Sequence, residues 1–242
     1  TDFDDRAFDQ KRTKKWLPVS MYIGGAEHSV LHLLYSRFIT KALFDQKLID
    51  FDEPFTKFRA HGLLIKDGAK MSKSRGNVIN PDKYIQRFGA DILRCYLMFL
   101  GPFDQGGDFR DSGIEGMERF LKRVRKLVKS NLASENQSSK ASANFSANLK
   151  IEKSVNRAIK GVGNDLENLR YNTALAKIME LVNDLYISND NIEPKYLKTL
   201  VVLLAPFAPY LCEELWAQLG GLNSVHREPW LSYDAGKLEE EN

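Results

Sequence analysis

Cysteine is scarce in this sequence: Cys95 and Cys212 are the only two among 242 residues, each inside an apolar stretch and neither in a CxxC pair. A disulfide scaffold is thereby excluded, and both thiols are expected to be buried and reduced. Long hydrophobic runs are missing as well. The most apolar stretch, Leu200 to Leu211, carries Pro206 and Pro209 and falls far short of the ~20 residues of a helical membrane span, so no membrane partner is expected. Neither sign of charge dominates: 35 Lys and Arg oppose 32 Asp and Glu, and a net charge of +3 cannot by itself establish a nucleic-acid partner. No internal repeat is visible, and 43% hydrophobic with 28% charged residues excludes wholesale disorder and collagen-like chains. The opening TDFDDRAFDQKRTKK has neither an initiator Met nor an apolar signal region. No targeting peptide is therefore expected, the chain is expected to begin inside a longer polypeptide, and its location is expected to be cytoplasmic.

What is present divides in two. Up to about Phe109, short β-type runs are punctuated by Gly, Pro and Asp; beyond Asp111 the pattern is helical. The expected organisation is an α/β part over 1–110, an all-α part over 111–235 with a mobile connection near 133–148, and an acidic tail over 236–242. VSMYI (Val19 to Ile23) predicts a buried strand turned by Gly24-Gly25, and Glu27 to Gln46 a long helix with Val30, Leu33, Leu34, Phe38 and Leu43 facing a core. A second strand is expected from Phe58 to Ile65. Asn80-Pro81-Asp82 predicts the start of a helix ending at Phe88, with another from Ala90 to Leu100. Apolar i+3/i+4 spacing predicts two further helices through Ile114–Val128 and Ile151–Leu169. Leu175–Leu185, Tyr196–Leu204 and Tyr210–Leu219 make three more, the last ended by Gly220-Gly221. Five such helices suit an antiparallel bundle.

The stretch from Lys66 to Asn77, KDGAKMSKSRGN, holds three lysines, an arginine, two serines and two glycines between a strand and a helix. Phosphate-binding loops use this mixture of point charges, hydroxyls and close backbone approach; an exposed basic turn would show the same composition. It is not a Walker loop, because the GxxxxGK[ST] spacing is absent. Upstream, His28 and His32 stand four apart at the end of the first strand, where open α/β sheets bind ligands. Zinc ligation, a structural role and substrate contact are all compatible with that spacing, but there is no HExxH and no nearby Cys, and no metal site is expected. A second basic concentration, Arg119, Lys122, Arg123, Arg125, Lys126 and Lys129, lies on a helical pattern. It is either a solvated face or a phosphate-contacting one.

Lys70-Met71-Ser72-Lys73-Ser74 spells KMSKS and, followed by RGN and then GADILR (Gly89 to Arg94), resembles the signature loop of class I aminoacyl-tRNA synthetases. Tyr22-Ile23-Gly24-Gly25-Ala26-Glu27-His28, continued by Leu31 to Phe38, resembles the leucyl version of their strand-to-helix ribose site. Isoleucyl and valyl enzymes typically show GxDQ there. LAPFAPYLCEELW and HREPW are similar to the closing helices and tail of the class Ia tRNA-binding bundle. The resemblance covers nearly the whole chain. It implies the carboxy-side half of a class I Rossmann-type catalytic domain followed by an antiparallel helical bundle.

The function that the resemblance implies is leucine–tRNA ligase activity: leucine attacks the α-phosphate of ATP, accompanied by Mg2+, and the leucyl group then passes to tRNA-Leu. By resemblance, Lys70 and Lys73 neutralise charge on the triphosphate, and Met71, Ser72 and Ser74 join them against ATP. Gly24, Gly25 and Glu27 lie against the ribose; Tyr22, His28 and His32 line the leucine pocket. Arg119, Lys122, Arg123 and Lys126 contact the tRNA backbone, which fixes position rather than sequence. Three departures accompany this reading. No HIGH-type motif occurs, so the missing amino-terminal half of the catalytic domain becomes an expected partner and the chain alone is expected to be inactive. Ser20 and Met21 stand where bacterial-type leucyl enzymes commonly show Asp and Gln. The sequence also ends soon after the bundle, without the further small domain those enzymes often carry. Another class Ia synthetase, or a non-catalytic tRNA-binding protein, are the alternatives.

Overall fold

The computed structural model describes residue 5 and residues 7–135, 145–187 and 192–238. The chain divides into two compact units, one of residues up to Leu63 with Asp104–Gly106, the other of Leu64–Phe103 with Gly107 onward. The division differs from an expected boundary near residue 110 for a physical reason. Leu93, Cys95 and Tyr96 are buried in the same hydrophobic core as the carboxy-terminal helices, so the segment between residues 64 and 103 packs with them.

In the first unit, helix α1 (Gln10–Trp16) is capped by the Asp9 carboxylate, which accepts the Arg12 N–H at 3.0 Å, and carries Lys14 and Lys15 against its C-terminal dipole. Strand β1 (Tyr22–Gly25) pairs in parallel with β2 (Phe58–His61), Tyr22 opposite Phe58 and Gly25 opposite His61. Between them run a 3-10 turn, Ala26–Ser29, and helix α2 (His32–Asp45), which together form a βαβ crossover. Three expectations are corrected here. Gly24 and Gly25 belong to the strand rather than to its turn, and Val19 makes only an isolated bridge to Phe55. The helix starts at His32, not Glu27, because Leu31 takes a non-helical backbone (φ −111°, ψ −101°), so His28 and His32 do not share one helix. Of the apolar residues expected to face a core, Leu33 is buried, Leu43 is half-buried, and Val30, Leu34 and Phe38 are exposed. Arg37 holds Glu53 through two bonds of 2.7 and 2.6 Å, with Lys41 at 3.0 Å. The Arg37 and then the Lys41 hydrogen bonds bring the Glu53 carboxyl down to about 2.

The expected strand from Phe58 to Ile65 breaks at Gly62. A Cβ there would overlap the backbone of Gln105 and Gly106, so only glycine lets these segments pass. Beyond the break, β3 (Leu63–Lys66) is the centre of a second sheet, ordered β4 (Ala69–Lys70), β3, β5 (Gly106–Phe109). The β3–β4 hairpin turns on Asp67 (φ 51°) and Gly68 (φ 76°), the positive-φ pair that an Asp-Gly turn favours.

In the second unit, α3 (Pro81–Phe88) begins as expected: Pro81 takes its first turn and Asn80 accepts the Asp82 N–H at 2.9 Å. Then come α4 (Ala90–Phe99), α5 (Asp111–Glu135), α6 (Phe145–Glu167), α7 (Tyr171–Ile187), α8 (Pro194–Leu204) and α9 (Pro209–Gln218). The predicted periodic positions Ile114, Val124, Val128, Val162, Leu175 and Ile178 are fully buried in one core. Helix α5 extends through Glu135, so Ala133 to Glu135 are helical rather than linker. Most of the expected connection (residues 136–144) and the acidic stretch of the tail (residues 239–242) lie outside the described residues. Cys95 and Cys212 are buried free thiols, and burial pushes Cys95 up to about 12 and Cys212 well above its ordinary value.

Helix α4 fastens the α8–α9 turn from both sides. The buried Asp91 carboxylate accepts the N–H groups of Leu211 (2.7 Å) and Tyr210 (3.4 Å) at the start of α9. One turn later Arg94 donates to the carbonyls of Pro206 (3.0 Å) and Phe207 (3.4 Å) beyond the end of α8. Each charge faces the helix end of opposite polarity.

Candidate functional site

In the first unit, the parallel β1–β2 pair and the 3-10 turn gather Tyr22, His28 and His32. The Tyr22 ring stacks on His32 (centroids 5.3 Å, 29° between planes) and meets His28 edge-on at 6.2 Å; the two imidazoles are 6.5 Å apart. Phe55 and Phe58 close the other sides of Tyr22 at 4.7 and 5.7 Å. Neither phenylalanine is marked as a site residue by its local sequence, although Phe58 is the register partner of Tyr22. His32 Nδ1 lies 3.0 Å from the Tyr22 hydroxyl. His28 Nδ1 is buried and, among the described residues, has no hydrogen-bond partner. An aromatic wall with two imidazoles can enclose a small apolar side chain while offering it few competing charges.

Gly24 and Gly25 lead into this cluster. A Cβ on Gly24 would come within 3.2 Å of the Tyr22 ring and 3.3 Å of His28, and one on Gly25 would overlap the Glu27 carboxylate, which folds back over the strand end. Glu27 is itself exposed. The glycines therefore make room for the aromatic group and for the carboxylate, an acceptor suited to sugar hydroxyls.

In the second unit, the β3–β4 hairpin leads into the KMSKS residues. Its turn is held at the base: Asp108 accepts the Gly68 N–H at 3.1 Å and pairs with Arg110 at 3.0 Å, which keeps the Asp108 carboxyl below its usual range. Ser72 is the N-cap of a 3-10 turn, Lys73–Arg75, and accepts the Arg75 N–H at 3.3 Å; Gly76 (φ 67°) ends the turn in the left-handed region. Ser74 is 3.2 Å from the Ser72 hydroxyl. Lys70, Lys73, Ser74 and Arg75 are exposed, whereas Met71 is half-buried against the core of this unit. The result is a braced loop whose cationic side chains point into solvent, where they can neutralise phosphate oxygens.

The basic stretch lies on α5. Arg119, Lys122, Arg123 and Lys126 are all exposed and follow the i, i+3, i+4, i+7 spacing of one helical stripe. Part of its charge is answered internally: Lys122 pairs with Glu118 (2.7 Å), and Arg123 reaches Asn183 (2.9 Å) and stacks on Tyr186. Arg125 and Lys129 converge on Glu214 at 2.6 and 3.9 Å. Among the described residues Arg119 and Lys126 form no ion pair, so they are the cations of the stripe most available to an external anion. A cleft of about 420 Å³ between α4, α5 and α9 is lined by both signs of charge, Lys122 and Arg125 beside Asp91 and Glu214. Among the described residues no group of three or more His, Cys, Asp or Glu could hold a metal ion, and no helix is long and apolar enough to cross a membrane.

Comparison with known proteins divides the chain at a different place from its two packed units. Residues 4–108 match the family model for tRNA synthetases class I (I, L, M and V), and residues 148–242 match that for the anticodon-binding domain of tRNA ligase. The chain is thus a class I tRNA synthetase segment followed by a helical anticodon-binding region. Within that class it is a homologue of the leucine–tRNA ligases: that of Dehalococcoides mccartyi strain CBDB1 is 42% identical over 99% of this chain, and that of Pseudothermotoga lettingae 42% identical over 98%. The chain spans 29% and 30% of the length of these two relatives. Its structure resembles that of Agrobacterium radiobacter K84 agnB2 LeuRS, solved as a ternary complex with tRNA and LeuAMS. The TM-score is 0.86 at 39% identity, over 97% of this chain and 32% of that one. Mycobacterium tuberculosis methionyl-tRNA synthetase, solved with methionyl-adenylate, shares the fold at TM-score 0.67 and 18% identity, over 88% of this chain and 46% of that one.

Proposed function

We infer that this chain is the KMSKS-bearing, tRNA-binding portion of a leucine-activating ligase, built as the carboxy-side half of a Rossmann-type catalytic domain and an antiparallel bundle. The observation that carries this reading is homology to leucine–tRNA ligases over 99% of the chain, within which the KMSKS loop and the Tyr22 cluster both fall. In the first step a leucine carboxylate oxygen attacks the α-phosphorus of ATP, the bond to the bridging oxygen breaks, and pyrophosphate leaves as leucyl-adenylate forms. In the second, a hydroxyl of the terminal tRNA ribose attacks the leucyl carbonyl and releases AMP. Lys73, with Lys70 beside it, stabilises the charge that builds on the departing pyrophosphate, and the loop contributes positioning more than covalent chemistry. Met71, Ser72 and Ser74 complete its contact with ATP. Gly24, Gly25 and Glu27 receive the ribose, and Tyr22, His28 and His32 surround the leucine side chain. Mg2+ arrives with the triphosphate, and the location is cytoplasmic.

The partner implied by this reading is the remainder of the catalytic domain. Val30, Leu31, Leu34, Tyr35, Phe38 and Ile39 leave an apolar surface of α2 and its approach exposed, a larger patch than scattered surface residues make. The other half of the catalytic domain is the occupant that matches relatives more than three times as long. On the bundle, Arg119 and Lys126, with Lys122 and Arg123, take phosphates of tRNA-Leu. Lys73→Ala, in this chain joined to the rest of its catalytic domain, is expected to lower leucine activation by about 10²-fold or more, the scale of a lost transition-state contact. Unchanged pyrophosphate exchange would discard the assignment.

A further inference from the structure

The KMSKS loop is braced by a residue outside the five-letter motif. The Asn77 side chain reaches back across the turn and uses both ends of its amide: Oδ1 accepts the Ser72 N–H at 2.9 Å, and Nδ2 donates to the Lys70 carbonyl at 3.2 Å. Ser72 in turn caps the 3-10 turn that begins with Lys73, through its hydroxyl and the Arg75 N–H. Gly76, at φ 67°, turns the chain so that Asn77 comes back beneath the loop it follows. Asn77 is half-buried, whereas Lys70 and Lys73 are exposed. One amide therefore ties the backbone on both sides of Met71 and fixes the start of the turn that carries Lys73.

We propose that Asn77 is a positioning residue for adenylate formation, holding the backbone of Lys70 and Ser72 so that the two lysines approach the triphosphate from a fixed frame. The proposal rests on the ligase reading given above. Asn carries its donor and its acceptor on separate atoms of one short side chain, so it reaches the Lys70 carbonyl and the Ser72 N–H together: Asp keeps the acceptor for Ser72 but sets a carboxylate against the Lys70 carbonyl, and Ala keeps neither. Misplacement of a catalytic group by about 1 Å costs on the order of 10²-fold in rate. The loss is expected in kcat, with little change in KM for leucine, because the leucine cluster stands on the first unit.

The test has two arms. In this chain itself, amide hydrogen exchange at Ser72 and Arg75 is expected to quicken in Asn77→Ala while the melting midpoint stays that of the parent. In the chain joined to the rest of its catalytic domain, leucine-dependent pyrophosphate exchange by Asn77→Ala is expected to fall by about 10- to 100-fold in kcat. Asn77→Asp should fall between Ala and the parent, since it retains the Ser72 bond. Equal kcat for Ala and the parent, or faster Ser72 exchange without any kinetic loss, would overturn the proposal. A parent protein with no leucine-dependent exchange at all would instead overturn the ligase reading on which it rests.

Discussion

Gly25 and Gly62 look alike in the sequence but differ in what a methyl group would meet. At Gly25 a Cβ overlaps only the Glu27 carboxylate, the far end of a flexible side chain; at Gly62 it overlaps the backbone of Gln105 and Gly106. Gly25→Ala is therefore expected to leave the melting temperature nearly unchanged while it displaces Glu27. If Glu27 accepts ribose hydroxyls, one lost hydrogen bond of about 1–1.5 kcal/mol corresponds to roughly tenfold in KM for ATP. Gly62→Ala should instead destabilise the chain, because backbone cannot swing aside. Titrating ATP dependence and melting both variants checks the pair; an unchanged KM in Gly25→Ala would remove Glu27 from the ATP site. At this scale the sequence was readable where chemistry is contiguous. KMSKS announces itself as five adjacent residues, and the Asn77 brace five positions after Ser72 lies in the same loop. Phe55 and Phe58, which wall Tyr22, come close only through the parallel strand pair and left no local signal.

Among the elements, helix α4 holds the α8–α9 turn through two opposed charges. Asp91 serves α9 as a borrowed N-cap, since Ala208 offers no side chain for that role, and the N–H of Leu211 is buried. Asp91→Ala leaves that donor without its acceptor, at an expected cost of about 1–3 kcal/mol. Asp91→Asn keeps one acceptor oxygen and should recover part of the loss. Denaturant unfolding of the chain reads the difference, and an unchanged midpoint in the alanine variant would show that the cap contributes nothing. The periodicity that predicted α5 to α9 was legible because apolar residues repeat within each helix. The fastening was not, because Asp91 and Leu211 are 120 positions apart. Helix α2 failed in the opposite sense. Its apolar pattern predicts a buried face, yet Val30, Leu34 and Phe38 are exposed, because periodicity reports that a face is apolar and not what covers it. The strand break at Gly62 was equally hidden, since it arises from the approach of residues 105 and 106.

For the molecule as a whole, the two groups of candidate catalytic residues fall on separate units: Tyr22, Gly24, Gly25, Glu27, His28 and His32 on the first, and Lys70 to Ser74 on the second. The KMSKS segment packs through Met71 against the same hydrophobic core as the carboxy-terminal helices. The chain spans under a third of the length of the leucine–tRNA ligases it matches, and the first unit leaves Val30, Leu34, Tyr35, Phe38 and Ile39 exposed. The central claim is that this chain supplies one part of a leucine-activating site. Leucine-dependent ATP–pyrophosphate exchange tests it most directly, with the chain alone and with the chain supplied with the amino-terminal portion of its catalytic domain. Exchange that appears only when both are present is the predicted result. No exchange in either sample, from folded and associated parts that still bind tRNA, would contradict it and leave a non-catalytic tRNA-binding protein.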